Sequence, residues 1–545
     1  LETVKEHKYE LLTARALLVL CVVLFFFQCL SVESVPVADG LRWFGDETWL
    51  MAEARTHIAE GVVKLPEAMG STLQHGKGFV LGMPWLSSLL YGAPILIAGR
   101  TANIVLVGRI VSTILTGMAL LALYYFLKRF GVSTLITATL LTALLSSNAF
   151  LFGSHSARPD ILAGLILLLV IYYTPYLLKE SGNTKRQYFL YGAILSFLAW
   201  TSSPHLLTLL FPIGVFALFY YAKKGIVKKW IPAIIGAVAS LVLLVIIYFI
   251  TTGDFSLFRI SRSSDPFSSV AGELPILRPF SRSVQIANIL IRVNNMWEEA
   301  PQMLIVLLIF IVLVALPGIR REIKKEPTQY FIVMSGVISI LSWLFLEAAG
   351  RLYMMHLFPI LVLCSGIVLQ RVLTSAFCKW AVSIAAIAII SLGFWNAARA
   401  KANGEEITQG NHAAMKVLRD SIYTISKRNH INSPVVLAEV PALEEMMRDT
   451  FARAMTNHFI AYYDSVRPLS VVLVHADVRF AVLFNSPHWG VNRYTNDAIF
   501  KTIDSTSVLV TQVTGKLFDF GRHYFQADDK SIDTLKLYYI KKEHP

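Results

Sequence analysis

Residues 107–131 read VGRIVSTILTGMALLALYYFLKRFG. From Ile110 to Leu127 no residue is charged, and the run closes on the pair Lys128-Arg129. With the apolar residues before Arg109 it reaches the roughly 20 residues that a helix needs to cross a hydrocarbon core. A basic pair at the end of such a run marks the end held in the cytoplasm. The stretch therefore predicts a membrane-spanning helix, and the rest of the chain repeats its pattern.

Of the 545 residues, 55% are hydrophobic and 16% charged, and the mean hydropathy is +0.58. That balance excludes an ordinary soluble protein. The formal net charge of +13 does not point to nucleic acid, because much of the Lys and Arg lies in short links between apolar runs, where orientation signals belong. Cys21, Cys29, Cys364 and Cys378 lie within or beside apolar segments, so no disulfide framework is expected.

About eleven apolar segments fit a span: 14–32, 103–127, 133–152, 160–178, 188–203, 205–222, 231–251, 302–318, 329–347, 352–371 and 379–397. The first follows a charged N-terminal stretch and reads as a retained signal-anchor helix. Residues 79–99, rich in Gly and Pro, read as a helix at the interface or re-entering, with a twelfth span as the alternative. With the N-terminus in the cytoplasm, the inner links hold Lys128-Arg129, KESGNTKRQ (179–187), KKGIVKK (223–229), GIRREIKKEP (318–327), Arg371 and Lys379, a positive-inside pattern. The outer links are then GDETW (45–49), SHSARPD (154–160), TSSPH (201–205), the loop 252–300 and LEAAGR (346–351).

After about residue 400 the pattern changes to period-2 apolar runs: SPVVLAEV (433–440), SVVLVHA (470–476), RFAVLFN (479–485), SVLVTQV (507–513) and LKLYYIKK (535–542). Helical patterns such as PALEEMMRDTFARAMTNHF (441–459) lie between them. The expected organisation is a transmembrane domain over 1–399, with a large first outer loop (33–102) and the outer loop 252–300, and a soluble, periplasmic α/β domain over 400–545. No internal repeat, low-complexity tract or glycine-rich phosphate loop is present.

The ionisable residues of the outer links are the candidate site. Asp46 and Glu47 fit either a helix start favoured by the dipole or a general base at the membrane surface. His155, Arg158 and Asp160 stand together between two strong spans, where ionisable groups are costly and usually paired or functional; interfacial capping with a snorkelling Arg158 is the alternative. Arg351 at a span's outer end is suited to phosphate through its planar fork, with Tyr353 and His356 nearby; His356 also reads as a satisfied core residue. His75 and Lys77 lie in QHGKG (74–78). Glu53 and His57 share an i, i+4 spacing that suits a divalent metal or a solvated helix face; no cofactor is otherwise indicated.

The order of these stretches carries a resemblance: an acidic pair in the first outer loop, GMPWLSSLLYG (82–92), the span at 107–131, ARPD (157–160), and GRLYMMHLFPILVL (350–363). Over roughly residues 10–370 the chain resembles the GT-C class of polyprenyl-phosphate-dependent membrane glycosyltransferases, in the branch of protein mannosyltransferases and aminoarabinose transferases. The resemblance implies a hexosyl or pentosyl transferase that takes a sugar from a polyprenyl-phosphate carrier to a lipid, glycan or protein acceptor on the outer face, with inversion. It puts the base on Asp46, with Glu47 beside it, and a second acid on Asp160. It puts phosphate contacts on Arg351, Lys77 and Arg158, with Tyr353 close by; His75, His155 and His356 complete the candidate substrate-binding set. His75 stands where that branch carries a Glu, and His205 where it carries a Lys.

Two other classes fit the composition. A transporter or flippase would need polar groups near the bilayer midplane and interrupted helices in matched halves; the polar clusters lie at one face. A scaffold would tolerate changes at both Asp46 and Arg351. The chain has no N-x-S/T acceptor, which favours a bacterial inner membrane over the endoplasmic reticulum.

Overall fold

The computed structural model describes residues 2–30, 50–51, 54–55, 58, 85–99, 104–178, 185–202, 206–222, 226–252, 286–345, 354–373, 376–438, 453–456, 477–485, 503, 505, 507–515 and 533–541. Their helices are α1 (Glu2–Cys29), α2 (Trp85–Ala98), α3 (Ile104–Arg129), α4 (Thr134–Leu145), α5 (Asn148–His155), α6 (Asp160–Leu177), α7 (Lys185–Ser202), α8 (Leu206–Ala222), α9 (Ile226–Thr252), α10 (Ile286–Glu299), α11 (Pro301–Ala315), α12 (Pro317–Lys324), α13 (Pro327–Phe345), α14 (Met354–Leu369) and α15 (Ala376–Arg428). Leu50, Met51, Ala54, Arg55 and Ile58 are also helical.

The bundle is sorted by what each helix face meets. On α1, Ala14, Leu17, Cys21, Leu24 and Gln28 are buried at three- and four-residue steps, while Val19, Val22, Val23 and Phe26 face outward. That is the stripe of a helix packed on one side and bathed in lipid on the other. In contrast, α14 is buried almost throughout, as a helix surrounded by others must be. Among the described residues six helices are long and apolar enough to cross a membrane, or eight if each of two bent pairs is one span. The protein is thus a multi-pass membrane protein. The described helix α2 has 14 residues, about 21 Å at 1.5 Å per residue, and falls short of the roughly 30 Å of hydrocarbon.

One expected span is broken. Residues 133–152 form not one helix but α4 and α5, bent by 74°. The local cause is Ser147, which caps α5 by accepting from Phe150 N at 3.3 Å. A break frees carbonyls that lipid cannot satisfy. Here Leu144 O receives Ser147 Oγ at 2.9 Å, Leu145 O receives Gln28 Nε2 at 2.9 Å, and Ser146 O receives Gln302 Nε2 at 3.4 Å. Two glutamines on distant helices therefore hold the bend. The segment 302–318 likewise ends at Ala315, where α12 turns away by 81°. Part of the expected loop 252–300 is helix: α10 buries Arg292, Met296 and Glu299, turns Leu290, Val293 and Trp297 outward on a second face, and exposes Asn294 and Glu298 on a third, joined at 2.8 Å.

The two ends of the bundle differ chemically. One carries Lys128, Arg129, Lys185, Arg186, Arg320, Arg321, Lys324 and Arg371, with Ser133 N donating to Gln370 and Arg371 to Gln329, at 2.8 and 2.9 Å. At the other, Ser87 donates to the Ser202 carbonyl, Arg292 to that of Leu344, and the turn at 156–159 meets α2, α3 and α14.

Helix α15 has 53 residues, about 80 Å of continuous helix, and passes residue 400 without a break. Its first half buries Ser383, Ala386, Ile390, Ala397 and Ala400; its second half buries Ala414, Met415, Leu418 and Ile422 and packs on β4. The sheet has the order β2-β1-β3-β5-β4, with β1 (Val435–Ala438), β2 (Arg453–Thr456), β3 (Val478–Asn485), β4 (Ser507–Gly515) and β5 (Asp533–Ile540). β1 pairs in parallel with β2 and β3, and β5 pairs antiparallel with β3 and β4. Val436, Phe480, Val482, Leu535 and Leu537 lie on one face, Leu437, Ala481, Leu483 and Tyr538 on the other, and both sets are buried. Within the expected helix over 441–459, residues 453–456 are strand instead: their register against β1, Val435 to Arg453 through Ala438 to Thr456, outweighs a weak local helical pattern there.

Replacing Gln28 by Leu removes the donor to Leu145 O and leaves that carbonyl bare in an apolar setting. The expected loss is about 1 kcal/mol, seen as a lower thermal midpoint of the detergent-solubilised protein, with Gln302→Leu adding to it.

Candidate functional site

The site is built on the turn between α5 and α6. The chain leaves α5 at His155, passes Ser156 in extended conformation and re-enters helix at Asp160 after Pro159. Proline at a helix entrance loses no ladder bond, and a carboxylate in the first turn meets the positive end of the helix dipole. Within the turn Arg158 N donates to Ser156 O at 2.8 Å, and groups from other helices hold it as well.

Arg158, Asp160 and His356 come together. Arg158 Nε donates to Asp160 Oδ2 at 2.8 Å, and His356 Nε2 lies 3.3 Å from Asp160 Oδ1. Arg158 is 7% exposed, Asp160 3% and His356 0%. His356 reaches the carboxylate because α14 lies hard against α6 at Gly164, one turn beyond Asp160. A Cβ there would stand 2.5 Å from the Met355 carbonyl oxygen, closer than any side chain permits, so only glycine allows this approach. Both oxygens of Asp160 are thus engaged. The carboxylate is arranged to hold a guanidinium and an imidazole in place.

His155 is not part of that cluster in its contacts. Its Nδ1 lies 2.8 Å from Thr113 Oγ1, and its ring stacks on Phe25 with centroids 6.4 Å apart. Thr113 gives its own hydrogen to the Arg109 carbonyl at 2.9 Å, which makes Nδ1 the donor to Thr113; the buried Nε2 has no hydrogen-bond partner among the described residues. The sequence reading grouped His155 with Arg158 and Asp160; the structure turns it toward α3 and α1.

The turn is also held by residues that the sequence reading passed over. Tyr91 on α2, fully buried, donates from its hydroxyl to the Arg158 carbonyl at 2.7 Å and lies 2.9 Å from Ser112 Oγ. Thr116 Oγ1 donates to the Ser154 carbonyl at 3.0 Å. The signal was present as small polar residues at one-turn spacing in apolar helices, Ser87, Ser88 and Tyr91 on α2, and Ser112 and Thr116 on α3. Asp46, Glu47, His75, Lys77, Arg351 and Tyr353 lie outside the described residues, as do Glu53, His57 and His205. The nearest described neighbours of the acidic pair, Leu50 and Met51, are buried; Met51 packs on Gly108, where a Cβ would also stand 2.7 Å from Ala157 Cβ. Among the described residues no group of three or more His, Cys, Asp or Glu is placed to hold a metal ion.

No family model matches the chain, and no curated protein matches it. Among solved structures, the chain is similar to ArnT from Cupriavidus metallidurans bound to undecaprenyl phosphate, with a TM-score of 0.51 and 11% identity over 94% of this chain and 97% of that one. It is equally similar to the same ArnT in the apo state, with a TM-score of 0.51 and 12% identity over the same shares. At these identities the likeness shows the fold, which is the GT-C fold implied by the ordered motifs.

Breaking a buried ion pair from one side leaves an uncompensated charge. Asp160→Asn is therefore expected to cost about 3–5 kcal/mol of stability, while the double change Arg158→Met/Asp160→Leu costs clearly less. Thermal midpoints of the three proteins in one detergent measure the difference; equal losses would mean that the pair is not a unit.

Proposed function

We propose that this protein is a membrane glycosyltransferase that moves a sugar from a polyprenyl-phosphate carrier to an acceptor hydroxyl at the outer face of a bacterial inner membrane, with inversion. The observation that carries the proposal is a buried Arg158–Asp160–His356 cluster at the less basic end of a bundle whose fold is shared with ArnT, which binds undecaprenyl phosphate in one of its structures. By the positive-inside rule that end is the extracytoplasmic one, and the sheet over 435–540 would belong to a periplasmic domain.

The chemistry assigns the roles. The acceptor oxygen bonds to the anomeric carbon as the bond from that carbon to the carrier phosphate breaks, and polyprenyl phosphate leaves. A phosphate leaves readily once its developing charge is balanced, and cationic side chains aimed at the departing oxygens supply that balance; Arg158, Lys77 and Arg351 are assigned this part. The acceptor's proton goes to a carboxylate on the opposite face of the sugar, the base half of an inverting transfer. Asp160 is unsuited to that step because it is buried and its charge is held by the Arg158 guanidinium. It orients Arg158, and Asp46 is left as the base, with Glu47 orienting the acceptor.

Chain reach supports bringing these groups together. Asp46 and Glu47 precede Met51 by five and four residues, at most about 18 Å of extended chain, and Met51 shares Gly108 with Ala157 of the turn. His75, His155 and His356 are assigned to carrier binding, and a divalent metal is assigned no step.

A labelled polyprenyl-phosphate sugar supplied with membrane acceptors tests the reading. Wild-type protein is expected to transfer label, and Asp46→Asn to lose at least about a hundredfold in rate with an unchanged melting curve. Wild-type-like turnover in Asp46→Asn would remove that residue from the mechanism, and no transfer from any carrier by the wild type would remove the function.

A further inference from the structure

We propose that Tyr91 is a positioning residue for the Arg158–Asp160 pair, tying the segment that follows the acidic pair of the first loop to the turn that carries Arg158. This deepens the reading above and rests on it for its catalytic consequence. Tyr91 touches neither reacting group; it acts through the Arg158 peptide plane.

The geometry carries the assignment. The Tyr91 hydroxyl has one hydrogen, and it goes to the Arg158 carbonyl at 2.7 Å. Ser112 Oγ also has one hydrogen, and the phenolic oxygen at 2.9 Å takes it in preference to the same carbonyl at 3.5 Å. A carbonyl fixed in this way fixes the plane of the 158–159 peptide. That plane sets where the Arg158 side chain leaves the backbone and where Asp160 begins its helix. The guanidinium and the carboxylate are two residues apart and meet at 2.8 Å, so a small rotation of the peptide separates them.

The phenol is itself anchored from behind. Its neighbour Gly92 lies so close to the Ala54 carbonyl that a Cβ there would overlap it, with Ile58 Cγ1 3.1 Å away. Ala54 and Ile58 belong to the helical residues that follow Asp46 and Glu47 in the chain. A second bridge runs beside the first: Met51 packs on Gly108, and Gly108 on Ala157. Two contacts therefore join the first-loop segment to the turn, one by packing alone and one ending in a hydrogen bond. The hydrogen bond is the directional one, and Tyr91 supplies it.

The test uses the full chain in detergent or nanodiscs, with Tyr91→Phe as the main variant and Ser112→Ala as the second. Tyr191→Phe is the control, a buried tyrosine on α7 that meets Thr174 at 3.5 Å and not the turn. The carboxylate stretch of Asp160, isolated by isotope-edited infrared difference against Asp160→Asn, is expected to shift in Tyr91→Phe and to stay put in the control. With a polyprenyl-phosphate sugar as donor, kcat is expected to fall about tenfold or more while the donor KM stays within about twofold and the melting midpoint is retained. Ser112→Ala is expected to give a smaller change in the same direction, because Tyr91 keeps its bond to the carbonyl. An unshifted band in Tyr91→Phe overturns the proposal, as does a loss of kcat that Tyr191→Phe reproduces or that tracks a falling midpoint. A shifted band in a protein whose wild type transfers no sugar upholds the positioning role and rejects the glycosyltransferase reading.

Discussion

Arg158 and Asp160 form an ion pair removed from water, and the arrangement of the surrounding helices follows from keeping it satisfied. Separating either charge from its partner in such a place costs several kcal/mol, and lipid offers nothing in return. The pair lies at a turn between two helices, and other helices add to its order. Gly164 lets α14 approach until His356 takes the second oxygen of Asp160. Helix α2 brings a phenol to the Arg158 carbonyl, and α3 brings Ser112 and Thr116. Each contact is short-range and directional, and together they turn a flexible link into a fixed platform.

The same rule governs the bend between α4 and α5. A helix broken at membrane depth exposes carbonyls that only protein can satisfy. Gln28 and Gln302 do so from α1 and α11, and the bend lets α5 lie across the end of the bundle and deliver the turn to the site. The polar residues of the spans are in this sense of two kinds. Some serve the backbone of a broken helix, and others serve the charges that the break positions.

Much of this was legible in the sequence. Apolar runs and basic links gave the helices and the two chemically distinct ends, because both signals are averages over many residues. The break at Ser146-Ser147 was not read, since an average over 133–152 hides three small polar residues that change the local backbone. Strand β2 was read as helix because four residues hold their conformation through pairing with β1, which no local pattern records. In the site, Arg158, Asp160 and His356 stood out as ionisable residues in apolar surroundings. Which of them meet did not, and the expected grouping of His155 with the other two gave way to its bond with Thr113. Tyr91 escaped notice because a tyrosine in an apolar helix is ordinary, and its role comes from one hydroxyl bond across the bundle.

Helix α15 runs unbroken from the bundle to the sheet, and this gives it the properties of a keyed shaft. Each residue of a helix advances by about 1.5 Å and rotates by about 100°. Adding or deleting one residue between Ala400 and Ala414 would swing the second half of the helix, with the sheet packed on it, to a different bearing around the bundle. The length of this connector is therefore phase-locked in a way that a loop's is not.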